Sequence, residues 1–121
     1  MRALIVDDSR FARRHVRDML EQEGYECDEA TDGRAGLDAL HAGGDYDLAL
    51  VDWNMPVMNG LDMVRLLRRE GFGALKVMMV TTEGESDAIT RALDAGADEY
   101  LMKPFDGEAL RDKLMLMGVG E

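Results

Sequence analysis

At 121 residues the chain is sized for one domain and is long enough to bury a core. Hydrophobic residues make up 46% and charged residues 32%, a globular balance that argues against disorder, and apolar runs of about four residues fall far short of a membrane span. The formal net charge of −11 argues against nucleic acid as a direct partner.

Short apolar runs alternate with amphipathic segments along the whole chain. Ala3 to Val6 predicts a first strand. The opening Met1-Arg2 leads straight into it, so no signal peptide is expected. Ser9 is placed to cap a first helix, in which Ala12, Val16, Met19 and Leu20 keep helical spacing and Gly24 marks the end. Tyr25 to Ala30 predicts a second strand; Glu26 and Asp28 alternate with Tyr25 and Cys27, as on an edge with an exposed side. Asp32 can cap a second helix carrying Leu37 and Leu40, stopped by Gly43-Gly44. Leu48 to Asp52 is a third strand. Leu61 to Glu70 predicts a helix with Val64 and Leu67 on one face. Lys76 to Thr81 is a fourth strand, and Ser86 to Ala95 a helix carrying Ile89 and Leu93. Glu99 to Met102 is a fifth strand. Asp106 caps a last helix with Leu110, Leu114 and Met117 inward, ending near Gly118.

This alternation predicts a parallel sheet with helices on both faces, in one domain spanning residues 1–121. The single cysteine, Cys27, excludes an internal disulfide and fits a cytoplasmic location. The ten methionines read mainly as core filler.

The third strand organises the site. Leu48-Ala49-Leu50-Val51 runs into Asp52, followed by Trp53-Asn54-Met55-Pro56 and Gly60, where Pro56 and Gly60 mark a loop. A buried parallel strand would place Asp52 at its carboxyl end, the edge where open α/β sheets bind ligands. Alone, the stretch fits equally an acid that caps the next helix. Two further features fall at strand carboxyl ends: Asp7-Asp8 after the first and Lys103-Pro104 after the fifth. If the first and third strands are neighbours, three carboxylates converge, since strands lie about 4.8 Å apart. Two unit charges at 4 Å repel by about 4 kcal/mol at an effective dielectric of 20, so the cluster requires raised pKa values or a cation. Few, hard oxygen ligands suit Mg²⁺. With a lysine opposite, such a pocket suits a phosphoryl group, and a carboxylate can itself be the nucleophile.

Four stretches, Val6-Asp7-Asp8-Ser9, Asp52-Trp53-Asn54-Met55-Pro56 with Gly60, Val80-Thr81-Thr82-Glu83 and Tyr100-Leu101-Met102-Lys103-Pro104-Phe105, resemble in order and spacing the receiver domains of two-component response regulators. The resemblance covers essentially the whole chain and is strongest to the single-domain chemotaxis type, which shares Asp-Trp-Asn-Met-Pro. It implies a flavodoxin-like, doubly wound (βα)5 fold with strand order 2-1-3-4-5. It also implies a phosphorylation-dependent switch: a histidine kinase's phosphohistidine donates to Asp52, and output passes by protein contact. By the same resemblance Asp8 and Asp52 ligate Mg²⁺ directly, Asp7 partly through water, and Asn54 through its backbone carbonyl. Thr81 is implied as the switch hydroxyl, Lys103 as the phosphoryl-pairing charge on a cis Lys103-Pro104 bond, and Tyr100 as the aromatic switch. Asn54 and Glu83 are implied to modulate phosphoryl lifetime. The output face would be helix four, strand five and helix five, including Ile89 and Lys113.

The chemotaxis type carries lysines just after the residue matching Glu83; here Gly84-Glu85-Ser86-Asp87 is acidic, so a flagellar-motor target does not follow. An acidic run bordering the output face predicts a basic partner segment. Arg10, Arg13, Arg14 and Arg17 form a stripe at i, i+3, i+4, i+7, either a solvated face or a docking stripe for an acidic partner. His15 and His41 occupy helical polar positions and are expected to be exposed. The rival readings are an aspartyl-phosphate phosphatase, an intermediate receiver in a phosphorelay, and a flavin carrier. The first needs an acid two residues after the nucleophile, where Asn54 stands. The flavin carrier needs a phosphate-cradling loop where Asp7-Asp8 would repel the phosphate.

Overall fold

Side chains alternate between the two faces of a strand, and a parallel sheet of apolar strands needs a cover on each. The computed structural model describes residues 1–82 and 86–119. In chain order the elements are β1 (Arg2–Val6), α1 (Arg10–Gln22), β2 (Glu26–Ala30), α2 (Gly33–His41), β3 (Leu48–Asp52), α3 (Gly60–Arg69), β4 (Lys76–Thr81), α4 (Ser86–Ala95), β5 (Glu99–Met102) and α5 (Gly107–Met117). The strands pair in parallel in the order β2-β1-β3-β4-β5, a flavodoxin-like sheet. Leu4, Val6, Ala49, Val51, Val77 and Met79 face one core, closed by Leu37 and Leu40 of α2, Met63, Val64 and Leu67 of α3, and Ala92 and Ala95 of α4. Ala3, Ile5, Leu48, Leu50, Met78 and Val80 face the other, closed by Val16 and Leu20 of α1 and Leu110, Leu114 and Met117 of α5.

Four helices begin on a side-chain cap. Ser9, Asp32, Asn59 and Asp106 accept from the backbone N–H of Ala12, Ala35, Asp62 and Ala109, each stabilising by about 1 kcal/mol. The Asn59 cap starts α3 at Gly60, one residue earlier than the apolar spacing predicts. Gly60 is therefore the first residue of the helix rather than part of the loop. A Cβ there would lie 2.2 Å from the backbone oxygen of Asp52, so the helix closes against the strand end only because this residue has none.

Two expectations change and a third holds. The inward face of α4 is carried by Ala92 and Ala95, while Leu93 is exposed and Ile89 half-buried. Small residues let α4 lie close to its neighbours and turn its larger side chains outward. The methionines are mainly core, as expected: Met63, Met78, Met79 and Met117 are buried and Met19, Met55 and Met58 pack against the two cores, while Met1, Met102 and Met115 are exposed. The arginine stripe is divided: Arg13 and Arg17 pair with Glu29 of β2, and Arg17 also donates to the Cys27 carbonyl. Of the four, only Arg10 and Arg14 are exposed, so half of the stripe serves to dock α1 on the edge strand.

The far edge of the sheet is tied by Arg68 of α3. Its guanidinium donates to the carbonyls of Gly96 (2.9 Å), Phe72 (2.7 Å) and Leu75 (2.7 Å) and to the Asp98 carboxylate (2.9 Å). Asp98 in turn accepts from the Val77 N–H at 2.8 Å.

One backbone feature departs from the sequence's preferences. Val57 sits at φ 69° and is 83% exposed. A β-branched residue in the left-handed region is strained, and here no burial offsets the strain. Replacing Val57 by Asn, which tolerates this conformation, is expected to stabilise the fold by about 1 kcal/mol. A urea midpoint that does not rise would show that the strain is relieved elsewhere.

Candidate functional site

Register brings the acids together. Val6 pairs with Val51, so Asp7 and Asp52 occupy the next rung of adjacent strands, β1 and β3. Asp7 and Asp52 are buried and Asp8, the next residue, is exposed. Carboxylate oxygens of all three lie within 4.8 Å of one another. Across the sheet, Thr81 pairs with Met102, which places Lys103 just beyond the end of β5. The Lys103 N–H donates to the Thr81 carbonyl at 2.8 Å, and the peptide to Pro104 is cis, as expected. The ammonium reaches into the cluster, 3.3 Å from Asp7 and 3.3 Å from Asp52.

The charges set one another. Burial, then the Asp7 charge, pushes the Asp52 carboxyl above its ordinary value, with Lys103 pulling the other way. Burial works against the Lys103 ammonium, but Asp52 and Asp7 outweigh it and its pKa ends raised. Three carboxylates against one ammonium leave two negative charges, which a divalent ion would balance. Hard oxygens, two buried and one reachable from solvent, fit a small ion that keeps several waters. The acids are also fixed from behind: Asp7 accepts from the Ser9 N–H at 2.9 Å, and its own N–H donates to the Ala30 carbonyl.

The remaining expected positions fall around this cluster. Asn54 is exposed in the loop after β3. Thr81 is the last residue of β4 and is buried. Tyr100 on β5 is half-buried with the Lys113 ammonium 4.2 Å from its ring centre, and Lys113 also pairs with Glu99 at 3.1 Å. Ile89 is half-buried on α4; Glu83, Gly84 and Glu85 lie outside the described residues. His15 and His41 are exposed as expected, stacked on Phe11 and set edge-on to Phe72 respectively. Cys27 is buried, and burial pushes its thiol up to about 11, so it is inert. Sequence reasoning missed two partners of the site. Arg13 donates to the Asp7 carbonyl at 2.8 Å, and the Arg91 guanidinium sits 5.5 Å from the ring centre of Trp53. An apolar groove of about 360 Å³ opens beside Lys103, lined by Phe11, His15, Val16, Pro104 and Phe105 among others.

Residues 3–115 match the family model described as the response regulator receiver domain. The chain is 40% identical over 116 residues to the chemotaxis protein CheY1 of Helicobacter pylori, covering 94% of both. It is similar in structure to CheY4 of Vibrio cholerae, with a TM-score of 0.89 and 33% identity over 96% of this chain and 97% of that one. It is similar also to the Thermotoga maritima response regulator TrrA, solved in complex with Mg²⁺–BeF, with a TM-score of 0.84 and 31% identity over 96% and 97%. With these relatives matched almost end to end and the family match running from Ala3 to Met115, the chain belongs to the response regulator receiver domains and is a CheY-like, phosphorylation-dependent signalling switch rather than a conventional enzyme.

Proposed function

We propose that residues 1–121 act as a single cytoplasmic receiver that takes a phosphoryl group on Asp52 from a histidine kinase or a phosphotransfer protein. The observation that carries this reading is the buried Asp52 carboxylate, facing Lys103 at 3.3 Å within a three-carboxylate cluster. An Asp52 oxygen attacks phosphorus; the phosphorus–nitrogen bond of the phosphohistidine breaks and its electron pair returns to the imidazole. The acyl phosphate remains on Asp52. Lys103 would exchange its carboxylate partner for a phosphoryl oxygen, and the Thr81 hydroxyl would donate to another. Asp7, Asp8, Asp52 and the Asn54 backbone carbonyl would hold Mg²⁺, which would supply neutralising charge for the transfer. The apolar groove beside Lys103 gives a donor domain a surface on which to seat. With Asn54 two residues after Asp52, where such a phosphatase carries its acid, the sequence favours a lasting signal over phosphatase-like turnover.

Output would leave through α4, β5 and α5. Leu93 and Met102 expose apolar surface there beside Ile89, Tyr100 and Lys113. Pulling the Thr81 hydroxyl toward a phosphoryl group alters what Tyr100 packs against and so biases a two-state surface.

Mg²⁺ provides the first test. Trp53, the only tryptophan, is adjacent to Asp52 and buried. Its fluorescence is expected to change at millimolar Mg²⁺, and the change to vanish in Asp8→Ala. A small acyl phosphate added with Mg²⁺ should then place one phosphoryl group on the protein. A silent spectrum, or label recovered on His15, His41 or a hydroxyl, would sink this mechanism.

A further inference from the structure

The arginine stripe on α1 contains a residue that the switch reading leaves without a role. Arg13 is one turn past the Ser9 cap, and its side chain is only 12% exposed. Its Nη1 donates to the backbone oxygen of Asp7 at 2.8 Å, while its Nε donates to Oε1 of Glu29 at 2.9 Å. Glu29 lies on β2 directly across from Ile5, two residues before Asp7. One planar guanidinium therefore spans the helix, the edge strand and the turn that carries the acids.

The atom it holds matters. The Asp7 carbonyl belongs to the peptide that joins Asp7 to Asp8, so fixing that oxygen fixes the plane from which the Asp8 backbone departs. Asp7 is otherwise well restrained: its N–H is bound to the Ala30 carbonyl and its carboxylate to the Ser9 N–H and Lys103. Asp8 is the exposed member of the cluster. Repulsion from Asp7 and Asp52 drives it outward, and turning the Asp7–Asp8 peptide is the simplest way out.

We propose that Arg13 is a positioning residue of the cation site: by holding the Asp7–Asp8 peptide plane it keeps the Asp8 carboxylate within the cluster. The inference rests on the proposed Mg²⁺ site and adds to it a residue that touches neither ion nor phosphoryl group. Partners that orient metal ligands in this way typically matter by about tenfold or more in affinity.

The sign of the effect separates this role from its rivals. A bystander cation near three acids competes with Mg²⁺, so its removal would tighten binding. A merely structural arginine would lower the thermal midpoint and leave Mg²⁺ affinity unchanged. A positioning residue weakens Mg²⁺ binding when removed. The test is a Mg²⁺ titration of the full chain by Trp53 fluorescence, repeated through the Mg²⁺-dependent rise in thermal midpoint. Arg13→Gln is expected to bind about tenfold more weakly than the parent. Arg14→Ala removes the same charge from an exposed neighbour and is expected to bind at least as tightly as the parent. Arg13→Lys keeps the charge but cannot span both partners, and is expected to fall between Arg13→Gln and the parent. Unchanged or tighter binding in Arg13→Gln overturns the proposal. Should that variant not fold, Arg13→Lys decides: parental affinity overturns the proposal and weaker binding supports it. A parent protein that does not respond to Mg²⁺ overturns the inference together with the metal reading beneath it.

Discussion

Replacing Asp52 by Asn is expected to abolish phosphorylation by acyl phosphates and at the same time to make the protein harder to unfold. The first effect is chemical: an amide is no nucleophile at neutral pH. The second effect is electrostatic. The Asp52 carboxyl is raised in the folded protein by burial and by Asp7, so the folded state binds its proton more tightly than the unfolded chain does. Ionising Asp52 therefore costs stability above its folded pKa. The advantage of the Asn variant is expected to be full above the folded pKa and to close as pH falls through it toward the ordinary value of 3.8. In chelator, a higher thermal midpoint for the variant would register it; added Mg²⁺ should stabilise the parent more than the variant. Equal melting of the two proteins at pH 7 would contradict this electrostatic account, and residual labelling of the variant would contradict the assignment of Asp52.

The largest loss of stability is expected from the smallest addition, Gly60→Ala. The new methyl carbon would lie 2.2 Å from the Asp52 oxygen and 2.9 Å from its carbonyl carbon. Both belong to the backbone and neither can rotate away. The Gly60 N–H also donates to the Trp53 carbonyl at 2.9 Å, so the start of α3 cannot retreat without breaking that bond. Overpacking against side chains costs about 1–3 kcal/mol; against fixed backbone we expect about 3 kcal/mol or more. Because the strain falls on the Asp52 peptide, Mg²⁺ affinity should weaken with it. Melting within about one degree of the parent would show that α3 can start without touching β3.

The strands were the most readable part of this chain. β3, β4, α4 and β5 begin and end where the sequence places them, because continuous apolar runs bounded by Gly, Pro or an acid leave little choice of register. The convergence of Asp7, Asp8 and Asp52 was readable for the same reason: once Val6 pairs with Val51, the acids must meet. What escaped was carried by long side chains crossing between elements. Arg13 and Arg68 sit where amphipathic helices show solvent-facing arginines. Their partners are backbone carbonyls and acids up to 30 residues distant, which no local pattern announces. The outward Leu93 escaped because spacing identifies a face of a helix but not how closely that face is packed. Val57 escaped because a residue that opposes its own backbone preference leaves no trace in a propensity.

The Arg68 strap gives the sheet unequal ends. At the edge away from the acids, one guanidinium joins the end of α3, the approach to β4 and the turn into β5. At the acidic edge the loops meet through Lys103, whose partners include the carboxylates of the cluster itself. The domain thus resembles a tuning fork gripped at its stem. Adding or removing charge at the open end can displace the tines, the Asp7–Asp8 turn after β1 and the Lys103 segment after β5, while the stem holds the starts of β4 and β5 together. A signal made this way is reversible, because the material that has to spring back is never unfolded in sending it.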